Sequence, residues 1–562
     1  MSGQPDLFTL NQKIQTMKKI LFVFLTVLLT GAVSFAQVNQ SSVNQMGVDN
    51  SSLVTQVGVF NINDIYQDGY MNEAEVDQLG FFNVSLLDQI GEGNGYYATQ
   101  VMSNFSTALQ LGWNNLAVVD QLGMNSSYIT QFFGVDNEAY VTQRGFFNTS
   151  DIDQWFSYAE IADVFQYGLF NKAKIAQFGG MYDEAVVSQY GIGNYANILQ
   201  EATYSNYALI NQMGHYNYAF VDQWLGDYNT VEIDQYGFMN GAYADQFGGE
   251  SNVALIAQKG KFNFASTYQL GGWMNGISVN QMGKGNEAYA TQYSGILNTA
   301  LIAQRGKGNL ANTTQDAGFG NLIDVAQRGK ENIASVYQLE GALNWAFVNQ
   351  RGKYNYAEID QIGGFWNTAD VFQRGKGNDA WVTQLGGDFN TAEVEQYGKK
   401  NDATITQVDG AFTTAYIGQD GKFNVAEIYQ EDNFGSLAEV VQIGDMNDAY
   451  IEQFDTEFTY AGIGQFGNGN MAGIGQYDVS NSSALILQTG DDNYAVSIQA
   501  FGENNVAMTS QIGDNNYSTT LQVGSNNYVD VYQYGFGHSS TVTQYGNGNS
   551  ATVSQYNAGM TP

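Results

Sequence analysis

Asn355-Tyr356-Ala357-Glu358-Ile359-Asp360-Gln361 alternates amide or apolar residues with charged or aromatic ones over seven positions. A period of two is the signature of a β-strand with one face inside and one outside. The pattern recurs along the chain. From Gln45 to Gln555 a Gln returns 46 times at spacings of 10 to 12, and from Gln143 to Gln511 the spacing alternates 11 and 12, a unit of 23 residues. Near both ends the spacing settles mostly to 11, a unit of 22. The residue six before the Gln is Asn in 39 of 46 copies, and the residue four before is Ala or Ser in 40. The residue two before is usually Val or Ile, and an arc of mostly four or five residues, usually with Gly, follows the Gln.

Charge decides which face is inside. Of 55 Asp and Glu residues, only Glu160 and Asp183 fall in the four repeated columns, and no Lys or Arg does. Burying an unpaired charge costs several kcal/mol, so the repeated columns face inward and Tyr356, Glu358 and Asp360 face water. If Asn and Gln were exposed turn residues, charges would mix into their columns. Two strands and two arcs make one coil, which predicts an all-β, parallel β-solenoid of about 23 coils. At about 4.8 Å per coil this is a rod of roughly 110 Å, with two facing sheets about 10 Å apart around a thin Ala/Val/Ile layer. In-register stacking lets each inward amide bond the amides above and below it. Gly in the arcs supplies tight or positive-φ turns, and both prolines, Pro5 and Pro562, lie outside the repeat.

Composition narrows the chemistry. The chain has 562 residues, which would ordinarily suggest three or four domains; the single repeat overrides that expectation. There is no Cys, which removes disulfide scaffolds and thiolate metal sites. Only His215, in an arc, and His538, in an Asn column, offer imidazole. A formal charge of −35 argues against a nucleic-acid partner. Lys18 and Lys19 precede an apolar run from Ile20 to Val33 and then Ser34-Phe35-Ala36, which reads as a secretory signal peptide with Met17 as the better start. The expected organisation is residues 1–36 as extension plus signal and 37–562 as the repeat solenoid, with no membrane span after cleavage.

The pattern Gln350-x-Gly352-x-x-Asn355-x-Ala357-x-x-x-Gln361 resembles the curlin repeat of bacterial curli fibre subunits. The resemblance covers Gln45 to Gln555. Two departures stand out: the first strand position of each unit is mostly Asn where the family usually has Ser, and the family usually carries only a handful of repeats. The resemblance implies a secreted functional amyloid of the biofilm matrix with a role in adhesion, an outer-membrane secretion pore and a nucleator as partners, and a cell-surface-associated location. Major subunit, nucleator and large matrix protein all fit it.

Three sets of residues carry the functional expectations. Gln350, Gly352, Asn355, Ala357, Ile359, Gln361, Asn367 and Gln373 represent the structural ladder. Lys261, Lys284, Lys307, Lys330, Lys353, Lys376, Lys399 and Lys422 recur every 23 residues in the same arc, with Arg305, Arg328, Arg351 and Arg374 two places earlier. These form a basic edge, either a solvated rim or a site for acidic matrix polysaccharide or for an acidic face of a neighbouring fibre. The opposite arcs carry Trp273, Phe319, Trp366 and Phe389. Asn39 with Gln45, and Asn549 with Gln555, keep the inward pattern at the two ends and are expected to stack end to end on other copies. No catalytic residue, cofactor or metal ligand is expected: the Gly-Gly-x-Gly-x-Asp calcium repeat of other solenoids is missing, and pieces such as Gly467-Asn468-Gly469 recur as arcs. A self-assembling structural fibre is the leading class. A monomeric extracellular solenoid that binds polysaccharide or another surface ligand would need a uniform outward column such as repeated Thr-x-Thr. A β-helix enzyme would break the repeat with long insertions.

Overall fold

The computed structural model describes residues 38–557, so the signal-peptide reading lies outside the described residues. The described chain consists of 44 strands joined by short arcs, with no helix among the described residues, and so no helix long and apolar enough to cross a membrane. Every strand pairing is parallel. Along most of the chain each strand pairs with the strands one coil before and after it, in a register of 22 or 23 residues: Trp345–Lys353 lies on Thr368–Lys376, with Gln350 opposite Gln373. Two long strands, Leu116–Val135 and Glu138–Trp155, each run through two half-units. The architecture is a parallel β-solenoid of about 22–23 coils, as the repeat predicts.

The inward columns are those expected from charge. Asn355 and Gln361 are 1% exposed, and Ala357 and Ile359 are fully buried. One continuous core runs from Ile65 to Ala495, built almost entirely of Ala in one column and Val or Ile in the next. The pairing of small with branched residues keeps the layer thin. Tyr96 is the one large departure: it takes an Ala position beside Ala98, and its buried hydroxyl bonds Ser106 at 2.9 Å and Ser85 at 3.3 Å.

The arcs are built differently from expectation in two respects. Arc glycines do adopt positive φ: at Gly352, with φ 130°, an added Cβ would stand 1.9 Å from the Gly375 carbonyl oxygen of the next coil. The residue directly before the ladder Asn position is also left-handed, however, and is usually not Gly: Tyr354, Trp366, Phe389, Phe412 (before Thr413) and Phe423 have φ of 56–58°. Each costs about 1–2 kcal/mol. Their N–H groups bond the preceding coil, as from Tyr354 to the Lys330 carbonyl at 3.0 Å, and rings such as Phe389 and Phe412 stack at 4.9 Å. These contacts offset the strain.

The second difference is a third ladder. From Val135 to Ser480, one residue in each five-residue arc forms a parallel bridge with its equivalents, through Tyr158, Trp273, Phe319, Phe365 and Glu457 among others. The extra residue of the 23-residue unit thus adds backbone pairing. It also divides the aromatic arc: Trp273 and Phe319 lie on the bridge, while Trp366 and Phe389 are the left-handed residues beside it.

Candidate functional site

The Gln columns form two uninterrupted side-chain ladders. In each, the Nε2 of one coil donates to the Oε1 of the next, beginning with Gln45 to Gln67 at 2.6 Å and Gln56 to Gln78 at 2.8 Å, and ending with Gln522 to Gln544 at 3.1 Å and Gln533 to Gln555 at 2.7 Å. Gln350 donates to Gln373 at 2.9 Å and Gln361 to Gln384 at 2.8 Å. The second Nε2 hydrogen crosses to the facing strand, from Gln350 to the Ile333 carbonyl at 2.8 Å and from Gln361 to the Trp345 carbonyl at 3.1 Å. Every bond in a ladder points the same way along the axis. Each is worth about 0.5–1.5 kcal/mol, and an unsatisfied buried amide costs about 1–3 kcal/mol, so register slips are penalised at every coil.

The Asn columns are only partly the side-chain ladders expected. After four-residue arcs the amides do stack: Asn332 Oδ1 accepts from both the backbone N–H and the Nδ2 of Asn355, at 3.2 and 3.1 Å. After five-residue arcs the ladder runs between side chain and backbone. Asn344 Oδ1 accepts the Asn367 N–H at 2.9 Å, and Asn367 Nδ2 turns to the Gly386 and Gly387 carbonyls of the next coil at 3.3 and 3.1 Å. The fifth arc residue brings a second carbonyl within reach, and the amide turns toward it.

Glu160 and Asp183 interrupt that second column on adjacent coils. Both are buried. Asp183 accepts from the Asn206 N–H at 2.8 Å and the Thr203 hydroxyl at 2.7 Å, whereas neither Glu160 oxygen makes a well-formed hydrogen bond. Burial pushes the Asp183 carboxyl up to about 6 against these two bonds. Burial, and then the charge of Asp183, holds Glu160 well above the ordinary carboxylate range.

The basic edge assembles as the spacing predicts. Lys261, Lys284, Lys307, Lys330, Lys353, Lys376, Lys399 and Lys422 lie in one register column that ends against Asp445, and Arg305, Arg328, Arg351 and Arg374 lie in another. All twelve are exposed except half-buried Lys330. Among the described residues they form ion pairs only at Lys330 with Glu331, 3.0 Å, and at Lys422 with Asp445, 3.2 Å. What the sequence pattern did not reveal is the aromatic interleaving. Lys284 lies over Phe262, Lys330 and Lys376 over Tyr354, and Lys399 over Phe423, at 5.4–5.9 Å from the ring centres. The left-handed arc residue places those rings beside the lysine column, and cation–π attraction moderates the repulsion between stacked ammonium groups.

The ends are open among the described residues. Gln40–Val48 is exposed along its whole length. Asn39 Oδ1 accepts the Asn61 N–H at 3.2 Å, and Asn549 Nδ2 donates to Asn527 Oδ1 at 2.9 Å, so both terminal half-units already belong to the ladders.

The model of the curlin associated repeat matches residues 205–237, 226–260, 275–306, 355–386, 387–408, 502–531 and 524–556. The chain is a curlin-repeat protein. No curated protein matches the chain. The curlin repeats matched at 205–260, 275–306 and 355–408 share one register with the unmatched stretches between them, so the family unit and the solenoid coil are the same object. Curlin repeats define a structural family, not an enzymatic one.

The two interior acids add a pH-sensitive point to this curlin-repeat solenoid, besides half-buried outward acids such as Asp245, whose carboxyl burial also pushes up to about 6. The folded state keeps the Asp183 proton up to about pH 6, whereas the unfolded chain releases it near the ordinary value of 3.8. Stability contributed there is therefore present at low pH and lost as pH rises through 6, about 3 kcal/mol for Asp183. In chelator-containing buffer, amides of coils 157–206 should gain protection relative to distant coils between pH 7.5 and pH 5, measured by hydrogen exchange corrected for intrinsic rates. Glu160→Asn/Asp183→Asn should remove that gain, and Asp183→Asn alone only part of it.

Proposed function

We propose that the mature chain is a secreted, self-assembling structural protein that forms curli-like fibres of an extracellular matrix, growing head to tail. The observation that carries this reading is the polarity of the Gln ladders at the ends. Among the described residues, the Oε1 atoms of Gln45 and Gln56 in the first coil have no Gln below them, and the Nε2 atoms of Gln544 and Gln555 in the last coil have no Gln above them. Donors at one end match acceptors at the other. A second copy stacked C-terminal coil to N-terminal coil continues both ladders without new side-chain chemistry, and the reverse orientation places like with like. A contact of this head-to-tail kind does not close on itself and generates a filament. Backbone polarity agrees: Tyr528, an outward residue, donates its N–H forward to the Asn549 carbonyl of the next coil. By the same alternation Ser550, Thr552 and Ser554 direct their N–H groups forward from the last coil.

Replacing Thr552 and Ser554 with Pro removes two forward donors while sparing the bonds that the last strand makes to Tyr528–Tyr534. The double variant should fold as a monomer and elongate seeded fibres at least tenfold more slowly, as followed by light scattering. Elongation at the parental rate would show that growth does not run through this coil.

The basic edge favours a second contact for the same fibre, with an acidic matrix polysaccharide. Ten of its twelve cations lack a carboxylate partner among the described residues, in a chain of formal charge −35. Uncompensated charge of one sign along an edge draws in linear polyanions and gives a salt-dependent affinity. Changing the eight lysines to Gln should abolish binding of the fibres to an acidic polysaccharide at low salt. Retained binding would leave the lysines as a solvated rim. An outer-membrane pore and a nucleator, which the family resemblance implies, complete the proposed set of partners, and the 1–36 leader is proposed to direct export.

A further inference from the structure

In ordinary coils of the 23-residue region, the space beside the arc glycine holds an amide nitrogen. Where a Cβ would stand on Gly226 the nearest atom is Asn229 Nδ2 at 2.2 Å, followed by the Gly248 and Gly249 carbonyl oxygens at 2.8 and 3.0 Å. Gly249 and Gly272 repeat the arrangement with Asn252 and Asn275. A donor meets acceptors, and the interior is satisfied.

At Gly180 the three atoms nearest the same point are all oxygens. Asp183 Oδ2 lies 2.1 Å from it, Glu160 Oε1 2.7 Å and the Thr203 carbonyl oxygen 3.0 Å. Two acceptors have replaced the amides while the carbonyl has stayed. Glu160 is fully buried and neither of its oxygens makes a well-formed hydrogen bond; the Ser157 hydroxyl, 4% exposed, and the Gly180 N–H lie beside it as its nearest donors, and Ser157 has no other partner. Among the described residues no Lys or Arg pairs with either carboxylate. These oxygens come from three successive coils: Ser157 and Glu160 from one, Asp183 from the next and Thr203 from the third.

We propose that Glu160, Asp183, Ser157 and the Thr203 carbonyl form an internal site for one hard divalent cation, calcium, that clamps three consecutive coils. The donor set is all oxygen with two formal negative charges, which a divalent ion neutralises. Nitrogen and sulfur ligands, which softer metals prefer, are not part of it. Calcium accepts six to eight oxygens in irregular arrangements, whereas magnesium demands a near-ideal octahedron and keeps its waters, so a buried set of oxygens drawn from three coils favours calcium. The site is a pair of substitutions in adjacent coils at one place in the repeat, unrelated to the repeated calcium loops of other solenoids.

The test uses the mature monomer stripped with chelator and titrated with calcium chloride at pH 7.5 by calorimetry, and with terbium by luminescence sensitised through Trp155, two residues before Ser157. The comparison is Glu160→Asn/Asp183→Asn, which restores the Asn column and leaves every surface carboxylate in place. The native chain should show one saturable site absent from the variant, with affinity at least 100-fold above that of the surface sites. Calcium should also slow amide exchange in coils 157–206 of the native chain only. Equal titrations for the two proteins would overturn the proposal. So would a native chain in which those coils gain protection from acid but not from calcium, which would assign the gap to protons.

Discussion

In-register parallel stacking makes every inward residue the neighbour of its own equivalent one coil away. Only two kinds of side chain tolerate that arrangement without water. Apolar groups pack against copies of themselves, and amides bond copies of themselves because each carries donor and acceptor together. Carboxylates and ammonium groups carry one kind only and repel their copies. The four inward columns are the direct product of this constraint: Asn or its backbone-capping substitutes, Ala, Val or Ile, and Gln. The same rule explains why the lysine column, which stacks like on like, sits at the exposed rim, where water and the rings of Phe262, Tyr354 and Phe423 moderate the repulsion.

The constraint also gives the rod a direction. A Gln ladder in which each Nε2 donates forward has different ends, and the backbone ladder shares that polarity. The interaction that holds the coils together is therefore the one left incomplete at the first and last described coils. In the proposed fibre, folding and polymerisation draw on the same chemistry. The interior acids show the cost of breaking the rule. Replacing Asn by Glu160 and Asp183 removes two donors from a column whose carbonyls remain, and the gap calls for a proton or a cation.

Much of this was legible in the sequence because a repeat tests its own reading dozens of times. The seven-residue alternation in Asn355–Gln361 identified the strand, and the exclusion of charge identified its inner face. The spacing of Lys261 to Lys422 predicted a column that the register reproduces. What was hidden lies in the arcs, where local propensity misleads. Nothing in the residue type of Tyr354 or Phe389 points to a left-handed conformation, since such residues resist it; the conformation is set by the bonds and rings of neighbouring coils. The bridge through Tyr158 and Phe365 is likewise a property of stacking, invisible in a single arc. The different bonding of Asn355 and Asn367 follows from one extra arc residue, which the 11-and-12 alternation displayed without revealing its consequence. The poorly bonded state of Glu160 could be located from its column but not read without the carbonyl of Thr203 beside it.

Mass per unit length of fibres of the mature protein, from scanning transmission electron microscopy, addresses the central claim most directly. If each chain is a rod of stacked coils joined end to end, a protofilament contains one chain per roughly 110 Å. A value several times higher, as when each chain occupies only a few strand layers of the fibre axis, would contradict the solenoid as the fibre's building block and the ladders as its growing ends.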